Sequence, residues 1–354
     1  FIMVVPNCEY GQNGTFLFSD CGLEIQPDAE KLAHIAVNSA QSWKTLIGTE
    51  PVVAMLSHST YGSAKNDDAN KVVEAAAIAR EVLGDDVRIS ISSEIGSMGL
   101  VERENATILN AALHLVAERF TEGFAKSLAE RGITEADVYL SQNDGTLMTI
   151  DHARRYPILT IACGPTNSIR GASYLSRMDD AIVIDVGGTT TDLGVLQAGF
   201  PRESGVAVTI GGVRTNFRMP DVISIGLGGG SIVREHEDGS VTVGPDSVGY
   251  EITKKALVFG GDTLTATDIA VRLGMAEVGD ASKVAHIGEE LAKKAMATMR
   301  EMVEEGIDMM KVSNDDIDAI LVGGGCIILP TDLAGTATCV KPEFSGCANA
   351  IGSA

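Results

Sequence analysis

The stretch Asp185-Val186-Gly187-Gly188-Thr189-Thr190-Thr191-Asp192 decides how this chain is read. It follows the apolar run Ala181-Ile182-Val183-Ile184 and leads into Leu193-Gly194-Val195-Leu196, so the pattern is strand, tight turn, strand. Adjacent glycines let a backbone approach a ligand closely, and their N–H groups can converge on a phosphate as an anion nest. The threonine hydroxyls add neutral donors. Asp185 or Asp192 could hold a magnesium ion through water or orient a nucleophile. A plain hairpin also uses glycine for positive φ and threonine for β propensity. Two acidic residues bracketing a Gly/Thr tip favour phosphate binding over that alternative.

Two further glycine clusters follow apolar runs. Gly323-Gly324-Gly325 ends an expected strand over residues 318–322, where glycines make room for the sugar and base of a nucleotide. Together with the hairpin, it describes two strand ends holding one nucleotide between them. Gly226-Leu227-Gly228-Gly229-Gly230-Ser231 either lines that cleft or is a flexible bend. Thr263, Thr265, Thr267 and Asp268 have the composition of a helix N-cap. Cys163 is expected in a turn, without the basic neighbour that a nucleophilic cysteine needs. His58, His114, His152, His236 and His286 form no close pair and read as structural or surface groups.

Outward from the hairpin the pattern is α/β. Short strands are expected over residues 1–6 and 14–18, a helix over 28–46, and a strand buried on both faces over 51–56 (Pro51-Val52-Val53-Ala54-Met55-Leu56). The loop Ser57-His58-Ser59-Thr60-Tyr61-Gly62-Ser63-Ala64, a helix over about 66–83 and a strand over 87–92 complete a β-loop-α-β unit of a mostly parallel sheet. A long helix over 104–131 carries Leu109, Leu113, Val116, Phe120, Phe124 and Leu128 on one stripe. Strands are expected at 138–140 and 158–162, a third strand after the hairpin at 205–210, reached across Ala198-Gly199-Phe200-Pro201, and a helix over 281–310 with Val284, Ile287, Leu291, Ala295, Met299 and Met302 in register.

The 354 residues carry 27 basic and 48 acidic side chains, a formal net charge of −21, with 45% hydrophobic residues. That is a globular composition long enough for two or three domains. Such an acidic surface opposes nucleic acid and anionic lipid. The longest uncharged stretch, residues 156–169, is too short and too interrupted for a membrane span. Six cysteines without a CxxC pair fit neither a disulfide framework nor a structural zinc site. With no basic-then-apolar leader, the expected compartment is a reducing cytoplasm. An opening Phe1 and a close on Ala354 suggest a fragment at both ends.

From about residue 80 onward the chain resembles the hydantoinase A / 5-oxoprolinase family. The matching stretches are Ser92-Ser93-Glu94-Ile95, Arg103-Glu104-Asn105 through Leu109-Asn110-Ala111, Ser141-Gln142-Asn143-Asp144-Gly145-Thr146-Leu147-Met148, Gly164-Pro165, the hairpin, the glycines at 226–230, Val243-Gly244-Pro245-Asp246-Ser247, and Ala348-Asn349-Ala350-Ile351-Gly352. The resemblance implies an actin-like ATPase fold of the Hsp70 and sugar-kinase type. It implies an ATP-dependent hydrolase that opens a cyclic amide or imide by phosphorylating its carbonyl oxygen. Under it Gly187, Gly188, Thr189 and Thr190 wrap phosphate, Asp185 or Asp192 organises Mg2+ and serves catalysis, and Gly323 and Gly324 face the adenosine. The implied partners are a small cyclic amide and either a second hydantoinase subunit or another copy of the chain.

Residues 1 to about 75 resemble phosphotransacetylase (phosphate acetyltransferase) instead, through Cys8-Glu9-Tyr10, Thr15-Phe16-Leu17-Phe18-Ser19-Asp20-Cys21, Glu30-Lys31-Leu32-Ala33-His34-Ile35-Ala36, and the 51–64 stretch. The expected division is a phosphotransacetylase-type β-α-β segment over 1–77 and a hydantoinase-like domain over 78–354, an apparent chimera with its switch near Ala75-Ala76-Ala77. Each resemblance lacks a part. The Asn-Asp-Leu-Ser-Arg-Gly pattern of the acetyltransferase is missing, as is the opening Asp-x-Gly-Gly-Thr loop of the hydantoinases. The alternatives to a working hydrolase are therefore a phosphate acetyltransferase, in which the loop 57–64 would hold phosphate, and a catalytically silent chimera.

Overall fold

A computed structural model describes residues 1–8, 10–20, 26–59, 64, 66–84, 87–205 and 207–354. Cys21, residues 60–63 of the 57–64 loop, and Val206 lie outside them. The chain forms two compact units. The first comprises Phe1–Leu140, Leu147–Ile161 and Gly205–Arg218, and the second Ser141–Thr146, Ala162–Ser204 and Met219–Ala354. Residue 77, where the sequence divides by resemblance, falls inside a helix of the first unit.

In the first unit β1 (Ile2–Val4) pairs antiparallel with β2 (Thr15–Leu17). Helix α1 (Ala29–Ile47) starts where the Asp28 carboxylate accepts from the Lys31 N–H, and it ends on Gly48 in the left-handed region. Strand β3 (Val52–Met55) runs through α2 (Asp67–Leu83), capped by Asn66, to the parallel strand β4 (Arg88–Ile91). Ala33, Ala75, Ala76 and Ala79 are completely buried, so α1 and α2 sit close to this two-stranded sheet. β3 is half-buried over most of its length rather than enclosed on both faces, because among the described residues only β4 pairs with it.

Short α3 (Ser92–Ile95) precedes α4 (Val101–Glu130), which corrects a sequence expectation. The apolar stripe of α4 is not its inner face: Val116, Phe120 and Phe124 are exposed. Arg103, Ala106, Thr107, Asn110, His114 and Thr121 are buried instead. Hydrogen bonding explains the inversion. Arg103 Nη1 donates to the carbonyls of His58 and Ser59, and Asn110 Nδ2 donates to Ser90 Oγ and to the Arg155 carbonyl. Hydrogen bonding lets this polar face be buried, although Arg103 Nε, also buried, finds no partner among the described residues. Next come β5 (Tyr139–Ser141), β6 (Leu147–Thr149) and α5 (Ile150–Arg155). The strand expected at 158–162 is a 3-10 turn over Pro157–Thr160.

The second unit is built on one mixed sheet. After α6 (Cys163–Ser176) come β7 (Ala181–Val186), β8 (Thr191–Gln197) and β9 (Phe200–Pro201). The strand expected at 205–210 forms only as β10 (Val208–Ile210), which belongs to the first unit and lies in a separate two-stranded sheet with β11 (Val213–Thr215). The place beside β8 is taken by β12 (Val222–Ile225), which pairs antiparallel with it. Next are the hairpin β13 (Ser231–Glu235) and β14 (Val241–Ser247), then α7 (Ile252–Lys255), α8 (Ala266–Arg272) and α9 (Glu289–Met310). Strands β15 (Ile317–Val322) and β16 (Thr336–Val340) and helix α10 (Ala348–Gly352) complete the unit.

The sheet order is β12-β8-β7-β15-β16, antiparallel through the first three strands and parallel through the last three. Alternation along β7 divides its side chains between two cores. Ile182, Ile184 and Val186 join Met299, Val303 and Ile307 of α9, whereas Ala181 and Val183 join Ile169 and Ala172 of α6. A Cβ at Gly171 or Gly352 would overlap the opposite backbone (Ala348 or Asn167), so glycine sets the close approach of α6 and α10.

Candidate functional site

The β7–β8 turn comes first because everything else is placed by it. Asp185 pairs with Asp192 and Val186 with Thr191, leaving residues 187–190 as the tip, closed by the Gly187 N–H on the Thr190 carbonyl at 2.8 Å. The other two glycine stretches converge on this tip through main-chain hydrogen bonds. Gly229 N–H donates to Gly187 O at 3.0 Å and Gly230 N–H to Gly188 O at 2.7 Å. Gly325 N–H donates to Val186 O at 2.7 Å. The two strand ends read from the sequence therefore lie side by side within one unit. Gly228, Gly229 and Gly230 are buried against the hairpin, so that stretch lines the site and is no free bend.

Glycine is required here by contact. A Cβ on Gly323, whose φ is +90°, would overlap Asp185 Oδ1 and the Val186 carbonyl; one on Gly325 would overlap the Gly187 carbonyl. Gly188 and Gly324 are the opposite case, exposed with open space where a Cβ would point. Among the described residues, the N–H groups of Gly188, Thr189, Thr190 and Gly324 have no acceptor. The floor is closed and hydrogen bonded, and the rim carries exposed, unpaired amides.

Polar side chains missing from the sequence reading brace the two carboxylates. Ser168, on α6, lies beside Asp185 and favours its charged form, and its hydroxyl accepts from Asn349 Nδ2 at 3.1 Å. Ser224 Oγ donates to Asp192 Oδ1. Burial pushes the Asp185 carboxyl above its ordinary value; the Ser168 hydroxyl opposes the shift and the facing charge of Asp192 adds to it. Thr267 Oγ1 donates to the Gly229 carbonyl at 2.8 Å. The Thr265/Asp268 capping box expected for α8 is present, so this N-cap also steadies the loop over residues 228–230. Ser168 and Ser224 stood outside every sequence motif and Asn349 appeared only inside a matching stretch without a role; tertiary packing brings all three to the carboxylates.

The arrangement fits a magnesium–phosphate group. No cluster of three metal-ligating side chains occurs among the described residues. Mg2+ that keeps several waters needs only one or two carboxylates besides phosphate oxygens, and Asp185 and Asp192 offer those. Residues 185–192, 226–231 and 323–325 contain no lysine or arginine, so amides and metal would carry the neutralisation. Cys163 opens α6 rather than a turn, and burial pushes its thiol up, away from nucleophilic character. No helix among the described residues is long and apolar enough to cross a membrane.

The hydantoinase/oxoprolinase family model matches residues 103–280, and the phosphate acetyl/butaryl transferase model matches residues 1–90. Over 81 residues the chain is 54% identical to a phosphate acetyltransferase of Acetivibrio thermocellus, covering 23% of this chain and 24% of that enzyme. It thus spans about a quarter of the acetyltransferases it matches. It is 25% identical over 221 residues to an uncharacterized protein of Methanocaldococcus jannaschii, covering 58% of this chain and 32% of that one. Among solved structures, an ATP-dependent caprolactamase from Pseudomonas jessenii superposes with a TM-score of 0.72 at 21% identity, covering 93% of this chain and 52% of that one. An acetone carboxylase superposes with a TM-score of 0.59 at 18% identity, covering 90% and 49%. The chain spans about half the length of these two neighbours. Its fold is the mixed α/β, actin-like ATPase type, preceded by a segment of phosphate acetyltransferase type.

Proposed function

The chain belongs to the hydantoinase/oxoprolinase family, with an amino-terminal stretch of phosphate acetyltransferase type, and from that premise we propose that it is an ATP-dependent hydrolase of a cyclic amide or imide. The observation that carries the proposal is the convergence of the hairpin tip with Gly323–Gly325, presenting unpaired amides beside two carboxylates. Gly187, Gly188, Thr189 and Thr190 wrap the phosphates. Asp185 and Asp192 hold Mg2+ through water. Gly323 and Gly324 leave room for the adenosine. Transfer of the terminal phosphoryl group to the ring carbonyl oxygen releases ADP; water then adds to that carbon, the C–N bond breaks to release the amine and leave an acyl phosphate, and a second water cleaves the acyl phosphate to a carboxylate and phosphate. The gain is chemical: phosphate is a far better leaving group than the oxygen of a neutral amide. The ATP dependence of the Pseudomonas jessenii caprolactamase supports this mode of action.

The ring substrate and a second subunit or further copy of the chain belong to the same proposal. So does a reducing cytoplasm, supported by free thiols at Cys8, Cys163, Cys326, Cys339 and Cys347. Calorimetric titration with ATP or ADP in the presence of Mg2+ tests the site, and hydantoin- or 5-oxoproline-dependent ADP release tests the reaction. An absence of nucleotide heat would overturn the assignment. Phosphate acetyltransferase activity is the competing reading. Because about a quarter of that enzyme is represented, acetyl phosphate and CoA are expected to yield no acetyl-CoA.

A further inference from the structure

Within the first unit a cavity of about 350 Å³ is lined by Arg80, Arg88, Arg154 and Arg155. Such a concentration of guanidinium is unusual on a chain of net charge −21. Arg88 is paired with Glu118, and Arg155 Nη2 donates to both oxygens of Glu94 at 3.0 Å, so these two cations are already balanced. The other two are not. Arg80 Nη2 donates to the Ile89 carbonyl at 2.8 Å and Arg154 Nε to Thr121 Oγ1 at 2.8 Å, and among the described residues neither has a carboxylate within ion-pair distance. Burial lowers the pKa of Arg80 and the charge of Arg155 lowers it further, while Glu94 and Tyr156 oppose the shift without reversing it. Asp151 also lines the cavity, but from an exposed position.

The wall is fixed by a relay of hydrogen bonds. Asn110 Nδ2 donates to Ser90 Oγ at 2.9 Å, and His114 Nε2 lies 3.0 Å from the same oxygen. His114 Nδ1 lies 2.7 Å from the Arg154 carbonyl, which can only accept. The imidazole therefore carries its proton on Nδ1 and accepts from Ser90 at Nε2; burial lowers its pKa and keeps it neutral. It holds the Arg154 backbone in place. Arg80, Val87, Arg88 and Ile89 lie in the stretch of acetyltransferase type, and His114, Glu118, Arg154 and Arg155 in that of hydantoinase type, so the cavity exists only where the two meet.

We propose that this cavity is a second ligand site, separate from the hairpin, which takes a small organic phosphate monoester between the guanidinium groups of Arg80 and Arg154. Two unbalanced forks suit a dianion with several acceptor oxygens. The volume falls in the range of small-molecule pockets, more than a bare phosphate needs. Titration of the intact chain with glycerol 3-phosphate, inorganic phosphate and succinate is the test. Glycerol 3-phosphate is expected to bind at least tenfold tighter than the other two, and Arg80→Gln and Arg154→Gln each to weaken it at least tenfold. Equal binding of inorganic phosphate or succinate overturns the ester assignment. Absent binding, or binding untouched by either substitution but lost in Asp185→Asn, overturns the site. Should the variants fail to fold, glycerol 3-phosphate must protect Arg80 and Arg154 of the unaltered chain from an arginine-selective dicarbonyl, read by peptide mass spectrometry. Unprotected arginines sink the proposal.

Discussion

Asp185 and Asp192 stand directly opposite one another in the β7–β8 ladder, each with a serine hydroxyl beside it, Ser168 on one side and the donor Ser224 on the other. Facing like charges destabilise a sheet. The pair persists because the serines brace it, and a divalent cation would remove the repulsion.

Asp185→Asn follows from that geometry. Burial raises the folded-state pKa, so between the ordinary carboxyl value of 3.8 and the raised one the folded chain keeps a proton that the unfolded chain has lost. Stability therefore falls as pH rises through that window. Without Mg2+ the Asn variant is expected to melt higher at pH 7, by about 2 °C for about 1 kcal/mol, and to converge with the parent below pH 3.8. Nucleotide binding with Mg2+ should drop at least tenfold. Melting curves across pH, with and without Mg2+, check both.

Gly323→Ala and Gly324→Ala separate fold from function. The first forces a methyl group into Asp185 and the Val186 carbonyl at φ +90°, at a cost of about 2–4 kcal/mol. The second meets no atom within 4 Å and should leave the denaturation midpoint unchanged while weakening nucleotide binding. Urea unfolding paired with calorimetry distinguishes them.

Asp268→Ala is the severe case. This fully buried carboxylate accepts from the N–H groups of Leu257, Val258 and Thr265 and from Thr265 Oγ1. Truncation strands these donors without water, a loss of about 3 kcal/mol or more. Urea unfolding measures it, and a loss under about 1 kcal/mol would contradict the network.

The sheet around the hairpin was legible because β7 and β15 alternate in apolar runs that end at glycine. Helix α6 was not, since Cys163-Gly164-Pro165-Thr166 has the composition of a turn; proline within the first turn of a helix forfeits no internal hydrogen bond. The exposure of Phe120 and Phe124 was equally hidden, because the periodicity of α4 marks a stripe without saying that Asn110 and His114 would find partners on the opposite face. For the site, composition revealed the glycine tips, but Ser168 and Asn349 reach it only through tertiary packing.

The seam joining the three glycine tips consists of peptide groups: Gly229 to Gly187, Gly230 to Gly188, Gly325 to Val186. Side-chain drift in flanking residues leaves such a seam untouched, so it can outlast most of the sequence around it. The same trait gives it a kinetic signature, for these three amide protons should exchange with deuterated solvent together, as one opening event, while those of Thr189 and Gly324 exchange at once.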